Sequence, residues 1–139
     1  MINKSLVLLF LAASILSSCS DKLELARLKG SYEGTFTYYN QASSVAPIPS
    51  GPVVLTFTEN AYLSSGNTNR IPAGGSGIFE LADDGKIKFE DQNMWTADFD
   101  WNLILNGSYK YKVKGDSLIL KKELLGGVTS YEYRLKRTE

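Results

Sequence analysis

SYKYKVKGDSLILKK, residues 108 to 122, decides the fold. Tyr109, Tyr111 and Val113 alternate with Lys110, Lys112 and Lys114; after Gly115 and Asp116 the run Leu118-Ile119-Leu120 follows, ending in Lys121-Lys122. Successive side chains of a strand point to opposite faces, so period-two alternation predicts a strand that is apolar on one side and charged on the other. Lys114-Gly115-Asp116 supplies the turn residues that fold such a strand back on itself. The stretch therefore predicts an antiparallel hairpin with one face to bury.

The same grammar extends in both directions. Upstream, Asn106-Gly107 separates Trp95–Leu105 from Ser108–Val113, and Asp84-Gly85 separates Gly77–Leu81 from Lys86–Glu90. Asn-Gly and Asp-Gly between alternating runs are strong hairpin signals. Pro52–Glu59 carries Val53, Leu55 and Phe57 on one face, with Ala61–Ser65 as its partner. Gly30–Tyr38 sets Tyr32, Phe36 and Tyr38 against Ser31, Glu33, Thr35 and Thr37. Downstream, Thr129–Lys136 alternates Tyr131, Tyr133 and Leu135 with Glu132, Arg134 and Lys136. These segments predict an all-β, up-and-down antiparallel meander of eight to nine strands. With no second layer to cover its apolar face, such a sheet buries that face and removes its edges by closing into a barrel. A two-sheet sandwich is the alternative. Asp21–Gly30, acidic at its start, basic near its end and stopped by glycine, predicts a short helix before the first strand.

The N-terminus has a different character. Lys4 precedes the 11-residue run Leu6–Leu16, then Ser17, Ser18 and Cys19, the only cysteine of the 139 residues. As a helix the run covers roughly 16 Å, well short of the ~20 residues that span a bilayer. A basic start, a short apolar run and small residues describe a cleaved signal peptide. Leu16-Ser17-Ser18-Cys19 resembles the bacterial lipobox, in which cleavage falls before a cysteine that carries diacylglycerol. The resemblance implies residues 1–18 as signal peptide, Cys19 as lipid-attachment site, residues 19–29 as tether and helix, and residues 30–139 as barrel domain. It also implies an outer-membrane lipoprotein on the periplasmic or cell-surface side. Ser20-Asp21 followed by Glu24 is similar, in part, to surface-export signals.

With the meander in place, the chain resembles the lipocalin-like domain of small bacterial lipoproteins. Leu28-Lys29-Gly30-Ser31-Tyr32 is similar to the lipocalin glycine-x-tryptophan signature with tyrosine in the tryptophan's place. Residues 109–120 and Tyr131–Leu135 are similar to the closing hairpins. The family implies an eight-stranded barrel that in some members holds one small apolar ligand.

Composition narrows the function. Fifteen basic and 15 acidic residues balance, which gives no reason to expect nucleic acid. Histidine is absent from the sequence, which removes the commonest general base and metal ligand. No nucleophile motif or phosphate loop is present, so the expectation is a non-enzymatic binding protein without cofactor or resident metal. Glu90 with Asp91, or Asp98 with Asp100, pair carboxylates as any acidic strand does. Thr96, Asp98, Asp100 and Asn102 on one strand face would offer calcium oxygens without the loop carbonyls that complete a cage.

Two binding modes stay open. In an up-and-down barrel alternate connections share an end, so the long first and third connections, Asn40–Gly51 and Ser65–Ser76, predict a loop-lined mouth. Phe36, Phe57, Phe79, Trp95, Phe99, Trp101, Tyr109, Tyr111, Tyr131 and Tyr133 would form the walls, as core or around a cavity. Of these, Trp95, Phe99, Trp101, Tyr109, Tyr111, Tyr131 and Tyr133, with Arg70 on the rim facing an acidic headgroup, are the candidate contacts for a small apolar or amphipathic ligand. In the alternative, the long loops insert into an envelope protein, as a protein-binding or protease-inhibitory module. Lys110, Lys112 and Lys114, with Lys121 and Lys122 on the next strand, are expected outside, either solvated or facing anionic lipid or glycan.

Overall fold

The computed structural model describes residues 24–42 and 48–139. Eight strands form one closed barrel: β1 (Gly30–Asn40), β2 (Ser50–Phe57), β3 (Ala61–Ser64), β4 (Gly75–Ala82), β5 (Lys86–Asp91), β6 (Gly107–Lys114), β7 (Ser117–Leu124) and β8 (Thr129–Arg137). Each strand is antiparallel to the next, and β8 returns to β1 from Tyr32–Arg137 to Asn40–Thr129. This is the lipocalin-like, up-and-down barrel expected. A helix over residues 24–28 precedes β1. Cys19, the signal segment and the first part of the predicted helix lie outside the described residues.

Alternation explains the core. The inward positions of β1, β2, β7 and β8 hold Tyr32, Phe36, Val53, Leu55, Phe57, Leu118, Leu120, Tyr131, Tyr133 and Leu135, all buried. Tyr62, Phe79, Ile87, Phe89 and Tyr109 complete the ring from β3 to β6. Aromatic rings mesh across the barrel: Phe57–Phe79 at 5.0 Å, Tyr62–Phe89 at 4.8 Å and Phe89–Tyr109 at 5.7 Å between centroids, all edge to face, the arrangement the ring quadrupole favours. The interior is thus filled by the chain's own side chains. Gly34 lets β1 and β8 approach closely, since a Cβ there would sit 1.9 Å from the Arg134 carbonyl oxygen.

The two ends differ. The tight turns at 58–60, 83–85 and 115–116 lie together with the helix and the C-terminus. Leu28 plugs this end and is fully buried. Arg137 holds it shut: its guanidinium donates to the Arg27 and Lys29 carbonyls and to the Tyr32 hydroxyl, and lies 4.8 Å over the Tyr32 ring. The connections β1–β2, β3–β4, β5–β6 and β7–β8 share the other, looped end.

Three expectations need correction. Trp95–Leu105 is not a ninth strand; residues 92–106 are a loop with a single 3-10 turn at Trp101–Leu103. Its acids make local bonds that compete with a ladder: the Asp100 side chain accepts from the Asn102 backbone at 2.9 Å, and Asp98 accepts from Thr96. Consequently Trp95, Phe99 and Trp101 are not barrel wall, and Thr96, Asp98, Asp100 and Asn102 do not share a strand face. Asn106-Gly107 does not join two strands; Asn106 Oδ1 accepts from the Asp91 backbone at 3.1 Å and Gly107 opens β6. Finally, Lys122 points inward, in phase with Leu118 and Leu120, whereas Lys121 faces out as Lys110, Lys112 and Lys114 do.

Candidate functional site: the looped end

Four connections meet at this end, and two of them interlock. Residues 92–106 fold across the mouth and bond to the β3–β4 loop: Ala73 N–H donates to the Leu103 carbonyl at 2.9 Å, Leu105 N–H to the Gly74 carbonyl at 2.9 Å. Beneath them the Tyr62 hydroxyl donates to the Leu105 carbonyl at 2.6 Å. Ile104 and Leu105 are buried as a stopper. The mouth is therefore capped by an ordered loop.

Each loop has its own organiser. In the β3–β4 loop, Asn67 Oδ1 accepts from the backbone of Asn69 at 3.1 Å and of Ile71 at 3.0 Å, while its Nδ2 donates to the Ile71 carbonyl. This Asx-type arrangement presents Arg70, at φ 55°, outward. In the cap, Asp91 at the end of β5 accepts from Ser76 N–H at 2.9 Å, Asn93 Nδ2 at 2.7 Å and Trp95 Nε1 at 2.5 Å. The sequence pattern does not mark either Asn67 or Asp91 for this positioning role. An asparagine after Ser-Gly is the one local signal for the first; an acid following Glu90 at the end of a strand gives none for the second.

The eight sequence-derived contacts fall into three places. Arg70, Trp95 and Phe99 come together on the rim: Arg70 pairs with Asp98 at 2.9 Å, its guanidinium lies 4.6 Å over the Phe99 ring, and Trp95 meets Phe99 edge to face at 5.7 Å. The Asp98 carboxyl is held below its ordinary range by the Thr96 hydroxyl first and Arg70 second. Trp101 is on the same cap but stands out from it, 56% exposed, with Nε1 donating to the Thr96 carbonyl at 2.9 Å. Tyr109, Tyr131 and Tyr133 are deep in the barrel. Tyr111 is at the opposite end, its hydroxyl donating to the Glu24 carboxylate.

The deep tyrosines carry a polar residue of their own. The Tyr109 and Tyr133 hydroxyls are buried and make no hydrogen bond of good geometry. Burial, reinforced by neighbouring phenols, raises the pKa of both.

The outer rim is apolar in places. Ile48, Met94, Trp101 and Leu125 all sit on connections of the looped end and are exposed, Met94 completely and Leu125 at 81%. Among the described residues no group of three or more acids or cysteines is placed to hold a metal ion, and no helix is long and apolar enough to cross a membrane. No family model, curated protein or solved structure matches the chain.

Proposed function

We propose that this chain is a lipid-anchored barrel of the bacterial cell envelope that binds another protein through its looped end. The observation that carries the reading is the contrast between a side-chain-filled interior and an ordered cap that holds Trp101 and Met94 in solvent. Large apolar side chains on a rigid surface loop cost solvation and are the residues that dominate protein interfaces. Orientation supports the same reading. Glu24 lies at the closed end against Tyr111, and five residues of chain back to Cys19 reach at most ~18 Å. A lipid on Cys19 would hold the closed end toward the bilayer and the looped end away from it.

A second reading, a small ligand inside the barrel, draws on the unpartnered Tyr109 and Tyr133 hydroxyls. One experiment separates the two. Wild-type chain and a Met94→Ser/Trp101→Ser/Leu125→Ser variant are used as bait in envelope extract, with Cys19→Ala as the anchoring arm. A partner retained by wild type and lost at least about tenfold in the variant is expected, since two or more interface residues at over 1 kcal/mol each amount to that. Cys19→Ala should leave an uncut, poorly anchored precursor. A partner equally retained by the variant defeats the rim reading, and a small molecule carried through native mass spectrometry moves the site inside.

A further inference from the structure

The wall of the barrel is incomplete between β6 and β7. These strands pair only from Lys110–Lys121 to Lys114–Ser117. The first residues of β6 pair with β5 alone, and Lys122–Leu124 pair with β8 alone. Where the ladder stops, Ser108 and Tyr109 on one side and Lys122 and Glu123 on the other line a cleft of about 440 Å³, together with Lys86, Lys110 and Lys121.

The charge of this cleft is one-sided, with four lysines and one glutamate. Lys86, Lys110 and Lys121 lie directly opposite one another across three adjacent strands. Like charges in that register repel. Glu123 offsets one of them, through its 2.7 Å pair with Lys121. Lys122 enters from the inner face. Its ammonium donates to the Asn106 carbonyl at 3.2 Å and sits 5.0 Å from the Tyr109 and Tyr131 ring centroids. Among the described residues no carboxylate forms an ion pair with it. Burial lowers its pKa and the Asp100 charge opposes this only in part, so the fold desolvates this cation more than it compensates it.

We propose that the β6–β7 cleft binds a phosphate group carried on a small polar molecule. Lysines are compact point charges whose donors converge from several directions, which suits the tetrahedral oxygens of phosphate better than a planar carboxylate that an arginine fork would take. The β6–β7 ladder ends at the same place. The volume exceeds that of a bare ion and falls within the range of small-molecule sites. The same chemistry is offered by a lipid headgroup, and the test distinguishes these sources.

The full chain carrying Cys19→Ser is held in non-ionic micelles, and amide NMR shifts are followed on addition of glucose 6-phosphate, glucose, or phosphatidylglycerol mixed into the micelle. Saturable shifts at Ser108, Tyr109, Lys122 and Glu123 with glucose 6-phosphate, and none with glucose, are expected. Lys110→Gln and Lys122→Gln should each weaken binding about tenfold or more, the loss of one charge-assisted contact. Lys110→Gln should at the same time leave the melting temperature unchanged or higher, because it relieves the like-charge row. Shifts with phosphatidylglycerol and not with the sugar phosphate would assign the site to a lipid headgroup and overturn the soluble ligand. No saturable shift with either phosphate, or affinity unaltered in both variants, would overturn the site itself.

Discussion

Phe36→Ala should destabilise the barrel by about 3–5 kcal/mol, the range for truncating a buried phenylalanine. Phe36 is fully buried and lies directly opposite Tyr133 in the β1–β8 pairing, the seam that closes the first strand on the last. Its ring is 4.7 Å from Tyr133 and 6.5 Å from Tyr131. The cavity left would open where no neighbour can move in without breaking ladder bonds on both strands, so little relaxation is available. Against a total stability of about 5–15 kcal/mol for a domain of this size, the melting temperature should fall by roughly 12–20 °C. Thr35→Ala, one residue earlier and exposed, is the control and should stay within about 0.5 kcal/mol. Equal effects of the two substitutions in thermal melts would mean that the β1–β8 seam does not close the barrel as described.

The second large effect is alkaline unfolding. Tyr109, Tyr133 and Tyr62 have hydroxyls whose pKa burial raises, with further contributions from neighbouring phenols and, for Tyr62, from Asp91. Tyr131 is pushed up to about 12, by burial first and by Asp100 second. The unfolded chain ionises these groups near pH ~10. Above that value the unfolded state binds fewer protons than the folded one, so stability is fully present below about pH 10 and falls as pH rises. Each phenol kept protonated by the fold contributes about 1.4 kcal/mol of loss per pH unit. Tyr109 and Tyr133, both held above that value by burial, therefore contribute most of the loss on the alkaline side. Lys122 acts with the opposite sign. Its folded pKa is lowered by burial, so stability rises with pH from that lowered value up to the free lysine value of about 10.4. Circular dichroism with tyrosinate absorbance checks this: the buried tyrosines should ionise together with loss of strand signal. Independent titration near pH ~10 in a still-folded barrel would contradict it.

Much of this architecture is written in local alternation. β1, β2, β4, β5, β6 and β8 each bury one face and expose the other, and Asp-Gly or Gly-Asp turns at 84–85 and 115–116 fix where the chain reverses. Trp95–Leu105 carries the same period for a different reason. A loop laid across a mouth also has an inner and an outer side, and nothing in the spacing of Trp95, Phe99 and Trp101 distinguishes a cap from a strand. What does distinguish them is the density of Asp and Asn, whose side chains satisfy backbone groups locally. Moving this segment from strand to loop shifts it to the looped end and separates the aromatic residues expected to line one wall.

Lys122 is the reverse case. Its position in phase with Leu118 and Leu120 points inward, whereas its charge argues for solvent. The fold follows the phase, because the ammonium reaches the Asn106 carbonyl at the opened seam and lies 5.0 Å from the Tyr109 and Tyr131 ring centroids. The seam itself depends on where a ladder between distant segments stops, which no local pattern encodes. Arg137 is likewise invisible as a clamp in sequence, since its partners Arg27, Lys29 and Tyr32 are more than 100 residues away.

Under the proposed function, the looped end would meet the partner while the closed end faces the tether. Site-specific photocrosslinking in intact cells tests it most directly, with a photoreactive phenylalanine analogue in place of Trp101 on the cap and, separately, of Glu59 in a closed-end turn. A discrete protein adduct is expected from position 101 and none from position 59. Adducts from position 59 alone, or equally from both positions, would contradict it.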